Sequence, residues 1–293
     1  MTLSITRRTA LFGTLAAAPA LMSIGVEAKK VDGQSANAQL AALEARHGGR
    51  LGVAMLDTGS GKRITRRSDE RFPLCSTFKL LAAGHVLARV DRGEESLERR
   101  VTFSKADLVT WSPVTEKRVG EGMTMAEICE AAITQSDNTA GNLQLASFGG
   151  PEGLTAFARS LGDGATRLDR WETKLNEATP GDPRDTTTPA AMLETMRKLL
   201  LGNVLSTTSR EQLIAWLVAN KTGGKRFRAA LPKDWRVGDK TGTGANGAAN
   251  DIGIIWPPKR EPILVTAYYA EARASDDQRN AILADVGRIA ASI

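Results

Sequence analysis

A serine and a lysine three residues apart, Ser76 and Lys79, form the first pair in the sequence with recognisable chemistry. They open a largely apolar stretch through Leu87 that is typical of a helix, and their spacing puts both side chains on one helical face. A lysine there can ease ionisation of the hydroxyl or accept its proton, and N–H groups at the helix start can bind an oxyanion. Because such a pair arises by chance about once in a chain of this length, it needs support from other motifs.

A second polar group, Ser136-Asp137-Asn138, lies between two stretches of helical periodicity. Asp137 is expected to cap the helix that starts near Thr139 by accepting N–H groups of its first turn. Ser136 and Asn138 are open to two interpretations. They either belong to the helix boundary alone, or both face a cleft, one as a hydroxyl proton relay and the other as an amide that holds a ligand.

The tripeptide Lys-Thr-Gly occurs twice, at 221–223 and at 240–242. The first copy follows a helical stretch and precedes another glycine, which is typical of a turn. The second copy lies in a strand pattern, where a period of two puts Thr241 and Thr243 on one side and Gly242 leaves room for a ligand along the strand. We therefore predict that the second copy, including Lys240, belongs to the functional site.

A polar loop without periodicity runs from Arg170 to Asp185, and its length fits an Ω-loop. An ion pair between Arg170 and Asp185 would tie its two ends together. Glu172 and Asn176, four residues apart, could share one turn and hold a water molecule between them. A lone glutamate in a loop is equally compatible with solvated surface.

Strand patterns lie at both ends of the chain, on either side of a helical middle. We therefore predict an α+β fold, in which one antiparallel sheet built from both ends forms an α/β sandwich subdomain (29–67 and 219–293) beside an all-helical subdomain (68–218). The predicted elements are a helix at 35–47, a hairpin of strands 51–57 and 62–66, helices between 76 and 217, strands at 236–243, 251–256 and 262–269, and a helix at 274–293.

Composition excludes several classes of protein. The 293 residues are 42% hydrophobic and 25% charged, as in globular proteins. The net charge of +6 is spread along the chain, so we expect no nucleic-acid partner. The sequence has two histidines and two cysteines, and none lies at a zinc-binding spacing, so we predict neither a metal nor another cofactor.

Residues 1–28 have the composition of an export signal. Arg7 and Arg8 precede an alanine-rich, weakly apolar run to Val26, which is too short and too polar for a membrane span. The paired arginines resemble a twin-arginine signal, and ordinary unfolded export is the alternative. We expect a periplasmic or secreted protein without a stable membrane anchor.

Together and in this order, the motifs resemble those of the class A serine β-lactamases over nearly the whole chain after residue 28. The resemblance implies a single catalytic domain (29–293), acting as a monomer, with the serine β-lactamase and penicillin-binding transpeptidase-like fold. It also implies that penicillins and cephalosporins are hydrolysed through an acyl-enzyme on Ser76, which would confer resistance to them. The matching segments are 72–79, 112–117, 136–140, 170–176 and 239–244.

The resemblance further implies catalytic roles. Lys79 and Glu172 are alternative proton acceptors during acylation, and sequence does not choose between them. Glu172, with Asn176, would activate the water that cleaves the acyl-enzyme. Ser136 would pass a proton to the departing ring nitrogen.

Other residues would bind the substrate. Asn138 would hold its side-chain amide, and the N–H groups of Ser76 and Thr243 would form the oxyanion hole. Trp111 would wall the entrance. The substrate carboxylate would contact Lys240, Thr241 and Thr243.

An arginine that many relatives carry after Lys-Thr-Gly is replaced here by Ala249. Arg226 matches a position from which some relatives fill the same space, so we expect its guanidinium to bind the carboxylate with two charge-assisted hydrogen bonds. Arg228, two residues on, is expected to be a surface residue and a control.

The two cysteines, Cys75 and Cys129, could pair or remain free. The resemblance implies free thiols, because the positions of their usual partners are occupied by Gly244 and Ala83. Relatives that hydrolyse carbapenems efficiently often have a disulfide between the positions occupied here by Cys75 and Gly244. Since that disulfide cannot form here, we also expect weak carbapenem hydrolysis at best.

Two rival functions share part of this pattern. A penicillin-sensitive cell-wall peptidase would have the serine, lysine and Lys-Thr-Gly motifs, but it lacks a deacylation base such as Glu172. A β-lactam sensor would be acylated without turnover, and such sensors usually carry a membrane segment.

Overall fold

The computed structural model of the chain describes residues 1–2 and 33–293. The export signal expected at 1–28 lies outside the described residues except for its first two. Within the part that is described, no helix is both long enough and apolar enough to cross a membrane.

Residues 33–293 form helices and strands in the predicted order, with a helical middle between two strand-rich ends. The helices are α1 (Gly33–His47), α2 (Phe78–Asp91), α3 (Met125–Thr134), α4 (Asn138–Ala146), α5 (Gly150–Ser160), α6 (Pro189–Leu200), α7 (Thr207–Val218) and α8 (Asp276–Ala291). The strands are β1 (Arg50–Asp57), β2 (Arg63–Arg66), β3 (Phe72–Pro73), β4 (Arg100–Val101), β5 (Met123–Thr124), β6 (Thr186–Thr187), β7 (Arg236–Thr243), β8 (Ala249–Trp256) and β9 (Ile263–Ala270).

The main sheet has five antiparallel strands in the order β2-β1-β9-β8-β7. The pairing of β1 with β9, from Arg50 opposite Ala270 to Asp57 opposite Ile263, joins the two ends of the chain. This confirms the predicted α+β fold. Strand β7 lies at one edge of the sheet and carries the second Lys-Thr-Gly.

The central strands are buried on both faces, which explains why they read as continuous apolar runs. In β1, Val53 and Met55 pack with α1 and α8, whereas Ala54 and Leu56 pack against the helical middle of the chain. A period of two therefore divides one strand between two cores. Each large apolar side chain buried in this way contributes about 1.5–3 kcal/mol of transfer free energy.

Helix α2 lies within the helical core, since ten of its fourteen residues are buried. A short 3-10 turn, Cys75–Thr77, precedes it, so the regular helix begins two residues after Ser76 rather than at it. The predicted cap is confirmed, because the Asp137 carboxylate accepts the Ala140 N–H. At the start of α3, Thr124 forms a capping box with Glu127. The subdomain boundaries at 68 and 218 stay a prediction.

Candidate active site

Ser76 lies at the wall of a cavity of about 350 Å³ between the helical part and the β7 edge. The side chain is nearly buried, with 7% of the residue exposed, and its Oγ lies 3.0 Å from Lys79 Nζ and 3.4 Å from Glu172 Oε1. Residues far apart in the sequence thus meet at one hydroxyl. The cavity is lined by Ser76, Trp111, Ser136, Asn138, Asn176, Thr222, Arg226, Thr241, Gly242 and Thr243.

Lys79 is fully buried and connects the polar groups around Ser76. Besides Ser76 Oγ, its Nζ lies within hydrogen-bond distance of Ser136 O (2.9 Å) and Asn138 Oδ1 (2.6 Å), and it forms an ion pair with Glu172 Oε1 at 3.0 Å. Burial lowers the pKa of Lys79, although the neighbouring Glu172 carboxylate acts in the opposite direction. The amine therefore loses its proton more readily than that of a lysine in water, so it can act as a base.

The loop that carries Glu172 is tied at its ends as predicted. Arg170 Nε donates to Asp185 Oδ2 at 2.5 Å, and Asp185 Oδ1 also accepts the N–H groups of Asp169 and Arg170. Inside the loop, Asn176 Nδ2 donates to Glu172 Oε2 at 2.6 Å. The pair four residues apart therefore meets, with the other Glu172 oxygen facing Ser76 and Lys79.

Asn142 is a positioning residue that the sequence analysis missed. Its Oδ1 accepts the Glu172 N–H at 2.9 Å, and its Nδ2 donates to the Glu172 carbonyl at 3.2 Å. The Asn142 side chain, on helix α4, thus forms hydrogen bonds with both the backbone N–H and the carbonyl of Glu172, the candidate base. Its spacing of four from Asn138 was the available signal, because that spacing puts both residues on one helix face.

Ser136 and Asn138 both reach the cavity, which favours the second of their two interpretations. Asn138 is already engaged on both sides, because its Oδ1 accepts from Lys79 and its Nδ2 donates to Thr110 O at 2.8 Å. One N–H of the amide remains for a ligand. Ser136 Oγ accepts from Lys240 Nζ at 3.0 Å, which leaves its own proton free to be donated.

Lys240 lies behind Ser136 rather than on the cavity surface. It is fully buried, and its Nζ donates to Ser136 Oγ and to Thr241 O at 2.8 Å. Burial, reinforced by the positive charge of Lys79, holds the pKa of Lys240 well below its usual value. Its direct contacts are thus with the candidate proton relay, whereas Thr241 and Thr243 line the cavity as expected.

Gly242 lines the cavity and also allows close packing of strand β7. A Cβ at this position would lie 3.0 Å from Leu74 O and 3.1 Å from Cys75 Cβ. The glycine therefore lets β7 approach the segment that precedes Ser76. Gly242 itself lines the cavity, so the expected room for a ligand along this strand stays a prediction.

Thr222, from the first Lys-Thr-Gly, also lines the cavity. The tripeptide lies in a bend just before a turn at 224–226, and Thr222 Oγ1 is 2.5 Å from Thr241 Oγ1 and 2.9 Å from Asn220 Oδ1. The two copies thus meet side by side, and treating the first as a turn alone missed a residue of the site.

Arg226 reaches the cavity, but its guanidinium is largely engaged. Nη1 donates to Gly242 O (2.7 Å) and Asn250 O (2.5 Å), Nη2 donates to Thr243 Oγ1 (2.6 Å), and Nε donates to Asn280 Oδ1 (2.9 Å). Since each terminal nitrogen carries two N–H groups, one Nη2 N–H remains for a ligand. The expected pair of hydrogen bonds from the Arg226 guanidinium to a carboxylate is therefore not available. Arg226 can offer one N–H directly, and it orients the Thr243 hydroxyl by donating to it.

Arg228 was expected to be a surface residue, and this was wrong. Its Nε donates at 2.5 Å to the carboxylate of Asp239, which is fully buried, and its Nη2 donates to the carbonyls of Leu217 and Val218. Removing this side chain would leave a buried carboxylate without its cation, which is strongly destabilising. Arg228 cannot serve as a neutral control.

Trp111 lies at the cavity rim and is 61% exposed. Its backbone has a left-handed φ of 66°, and its indole Nε1 donates to Gln135 O at 3.1 Å. An aromatic side chain held in this way at the rim is compatible with the expected entrance wall.

Cys75 and Cys129 are both free and buried, as the sequence analysis expected. A Cβ at Gly244 would lie 2.7 Å from Cys75 Sγ, so a glycine occupies the place next to the thiol. Burial raises the pKa of each thiol to about 12.

The buried thiols lead to a test by thiol titration. Denatured, unreduced protein should react with two equivalents of Ellman's reagent, since both cysteines are free. The folded protein should react slowly at pH 8, because burial blocks access and little thiolate forms that far below a pKa of about 12. Failure to detect thiols after denaturation would contradict the structure.

Comparison with known proteins gives consistent matches along the chain. A model of the β-lactamase enzyme family matches residues 35–293. The β-lactamase AST-1 of Nocardia asteroides is 52% identical over 254 residues, which cover 87% of this chain and 82% of that protein. The β-lactamase OXY-1 of Klebsiella oxytoca is 47% identical over 283 residues, which cover 97% of this chain and 96% of that protein.

A solved structure of the ancestral GNCA class A β-lactamase has the same architecture. It superimposes with a TM-score of 0.87 at 66% sequence identity, and the match covers 87% of this chain and 98% of that one.

Proposed function

The chain belongs to the class A β-lactamases and hydrolyses the β-lactam amide bond, and we propose that it does so through an acyl-enzyme on Ser76. The observation that carries this proposal is the meeting of Ser76 Oγ with Lys79 Nζ at 3.0 Å and with Glu172 Oε1 at 3.4 Å. A hydroxyl in contact with two potential bases is an activated nucleophile.

In the acylation step, Ser76 Oγ attacks the β-lactam carbonyl and loses its proton. Lys79 is the nearer acceptor, and its lowered pKa suits it to this role when it is neutral. Glu172 is within reach of the same hydroxyl and of Lys79, so a proton can pass to either group. The N–H groups of Ser76 and Thr243 are proposed to stabilise the oxyanion.

Opening the ring requires a proton on the departing nitrogen. We assign this transfer to Ser136, which lies on the cavity and whose oxygen accepts a hydrogen bond from Lys240. Because a lysine donor occupies that oxygen, the Ser136 proton is directed away from Lys240 and is available to the substrate. Lys240 thus acts on the reaction through Ser136.

Hydrolysis of the acyl-enzyme requires a base that positions water, and we assign it to Glu172. Asn176 Nδ2 binds one carboxylate oxygen, while Asn176 Oδ1 is buried and has no hydrogen-bond partner in the described part of the chain. An unpaired acceptor beside a carboxylate suits a water molecule that donates to both.

We propose that the substrate carboxylate binds at the β7 edge, between the Thr241 and Thr243 hydroxyls and the remaining Nη2 N–H of Arg226. Because Thr243 Oγ1 accepts from Arg226, the Thr243 proton is free for an anion in the cavity. Asn138 would hold the substrate side-chain amide through its remaining N–H, with Trp111 at the entrance. Penicillins and cephalosporins are the proposed substrates.

The expected export signal leads us to propose a periplasmic or secreted monomer that confers β-lactam resistance.

The decisive experiment follows the hydrolysis of a chromogenic cephalosporin and records the intact mass of the protein during turnover. We expect rapid hydrolysis with an adduct that appears and then disappears, and no adduct with Ser76→Ala. A lasting adduct on the wild-type protein would favour the peptidase or sensor instead. Turnover that persists in Ser76→Ala would exclude the proposed nucleophile.

A further inference from the structure

A second cleft lies beneath the outer half of the Ω-loop, apart from the catalytic cavity, and has a volume of about 290 Å³. Its lining shares no residue with the catalytic cavity. One wall is the loop segment from Ala178 to Arg184, and the opposite wall includes Arg71, Pro73 and Ala270. A cleft of this size can take a small organic molecule.

The cleft combines an apolar surface with three arginines and three carboxylates, the latter from Glu70, Asp182 and Glu271. Leu175, Pro180 and Pro183 of the loop face Pro73 and Ala270 of the body. An apolar pocket with a few polar groups is the usual composition of a small-molecule site, in which the polar groups fix orientation.

The arginines of the cleft differ in how far their charge is neutralised. Arg50 forms ion pairs with Glu70 and Glu271, and Arg184 forms one with Asp182. Arg71, by contrast, makes no ion pair within residues 33–293. Arg71 is solvent-exposed, and it is the arginine of the cleft whose guanidinium has room to pair with a carboxylate from outside the protein.

The unused part of Arg71 is the part that binds carboxylates best. Its Nη1 donates to Ala165 O at 2.7 Å and to Thr186 Oγ1 at 3.0 Å, which accounts for both N–H groups of that nitrogen. Within the described chain, its Nε and Nη2 have no hydrogen-bond partner. This edge of a guanidinium presents two parallel N–H groups that match the two oxygens of a carboxylate.

The cleft adjoins the catalytic site at two places. Leu175 lines the cleft, while Asn176, next to it on the 3-10 turn Lys174–Asn176, lines the catalytic cavity. Pro73 lies three residues before Ser76, and its carbonyl accepts from Asn250 Nδ2 at 2.9 Å. An occupant would therefore brace the turn that holds Asn176 against Glu172.

We propose that this cleft binds small amphipathic carboxylates, with the carboxylate on Arg71 and the apolar body against Pro73 and Pro183, and that its occupant acts on deacylation. The binding site stands on the cleft alone, whereas the effect on deacylation rests on the proposed role of Glu172.

The binding test uses 3-phenylpropionate as the probe and neutral 3-phenylpropanamide as its matched control, titrated into isotope-labelled protein and followed by amide NMR. We expect saturable shifts at Leu175, Ala178, Gly181 and Ala270, and affinity at least about tenfold higher for the acid than for the amide, because two charge-assisted bonds are lost with the carboxylate. Equal affinities, or shifts confined to the catalytic cavity, would overturn the proposal. This comparison needs no variant and does not depend on how any variant folds.

Two variants test whether Arg71 is the arginine that binds the carboxylate of the probe. Arg71→Gln should remove the preference for the acid, whereas Arg184→Gln, the loss of an already paired and exposed arginine of the same cleft, should change it by less than about twofold. Equal losses in both variants would contradict the assignment to Arg71.

The effect on deacylation is measured as the lifetime of the acyl-enzyme by intact mass. An occupant beneath the loop should brace the turn Lys174–Asn176 and keep Asn176 against Glu172, so saturating 3-phenylpropionate should shorten the lifetime by about twofold or more in the wild-type protein and leave the lifetime in Arg71→Gln unchanged. Binding without any change in lifetime would overturn the coupling and retain the site. If no acyl-enzyme forms at all, with or without the probe, the proposed function fails instead.

Discussion

Glu172→Ala should convert the protein from one that turns over into one that remains acylated on Ser76. The Glu172 carboxylate is the base assigned to deacylation, it accepts a hydrogen bond from Asn176 while Asn142 holds the Glu172 backbone, and general-base catalysis typically contributes about 10²–10⁴-fold. After mixing with penicillin, intact mass should show a persistent adduct, while steady-state hydrolysis falls by a similar factor.

Glu177→Ala is the matched control for this experiment. Glu177 belongs to the same loop, but its side chain is 53% exposed and its ion pair is with Arg170 rather than with Ser76 or Lys79. We expect this variant to deacylate normally. Rapid return of Glu172→Ala to unmodified mass would show that another group activates the water.

Residue pairs that lie close together in the sequence could be predicted from it. Ser76 with Lys79, and Glu172 with Asn176, are three and four residues apart, and a single turn brings each pair together whatever the rest of the fold does. The sheet was equally predictable, because its strands carry apolar patterns and lie between turn residues.

Contacts between residues of different elements could not be predicted from the sequence. Lys240 was assigned to the cavity surface, but packing of β7 against the Ser136 turn buries it completely. Arg228 was assigned to solvent, yet the fold places it against Asp239. In each case the residue type and local pattern are compatible with both locations, and only the three-dimensional packing decides between them.

The same packing changes what Arg226 is expected to do. Its Nη1 bridges carbonyls of β7 and β8, and its Nη2 binds Thr243, so it acts on a substrate carboxylate through one N–H and through the orientation of the Thr243 hydroxyl. Both effects are lost in Arg226→Ala. A hydrogen bond to a charged group contributes about 1.5–3 kcal/mol, and each 1.4 kcal/mol is about a factor of ten.

We therefore expect Arg226→Ala to lower kcat/KM for penicillins by about tenfold or more, with thermal unfolding recorded in parallel because two backbone carbonyls also lose their donor. Lys225→Ala is the matched control, since its side chain is 76% exposed and its ion pair with Asp277 lies at the surface. Arg226→Lys separates charge from geometry: a lysine keeps the cation but cannot bridge Gly242 O, Asn250 O and Thr243 Oγ1 at once, so most of the loss should remain. Full activity in Arg226→Ala would mean that Thr241 and Thr243 hold the carboxylate without it.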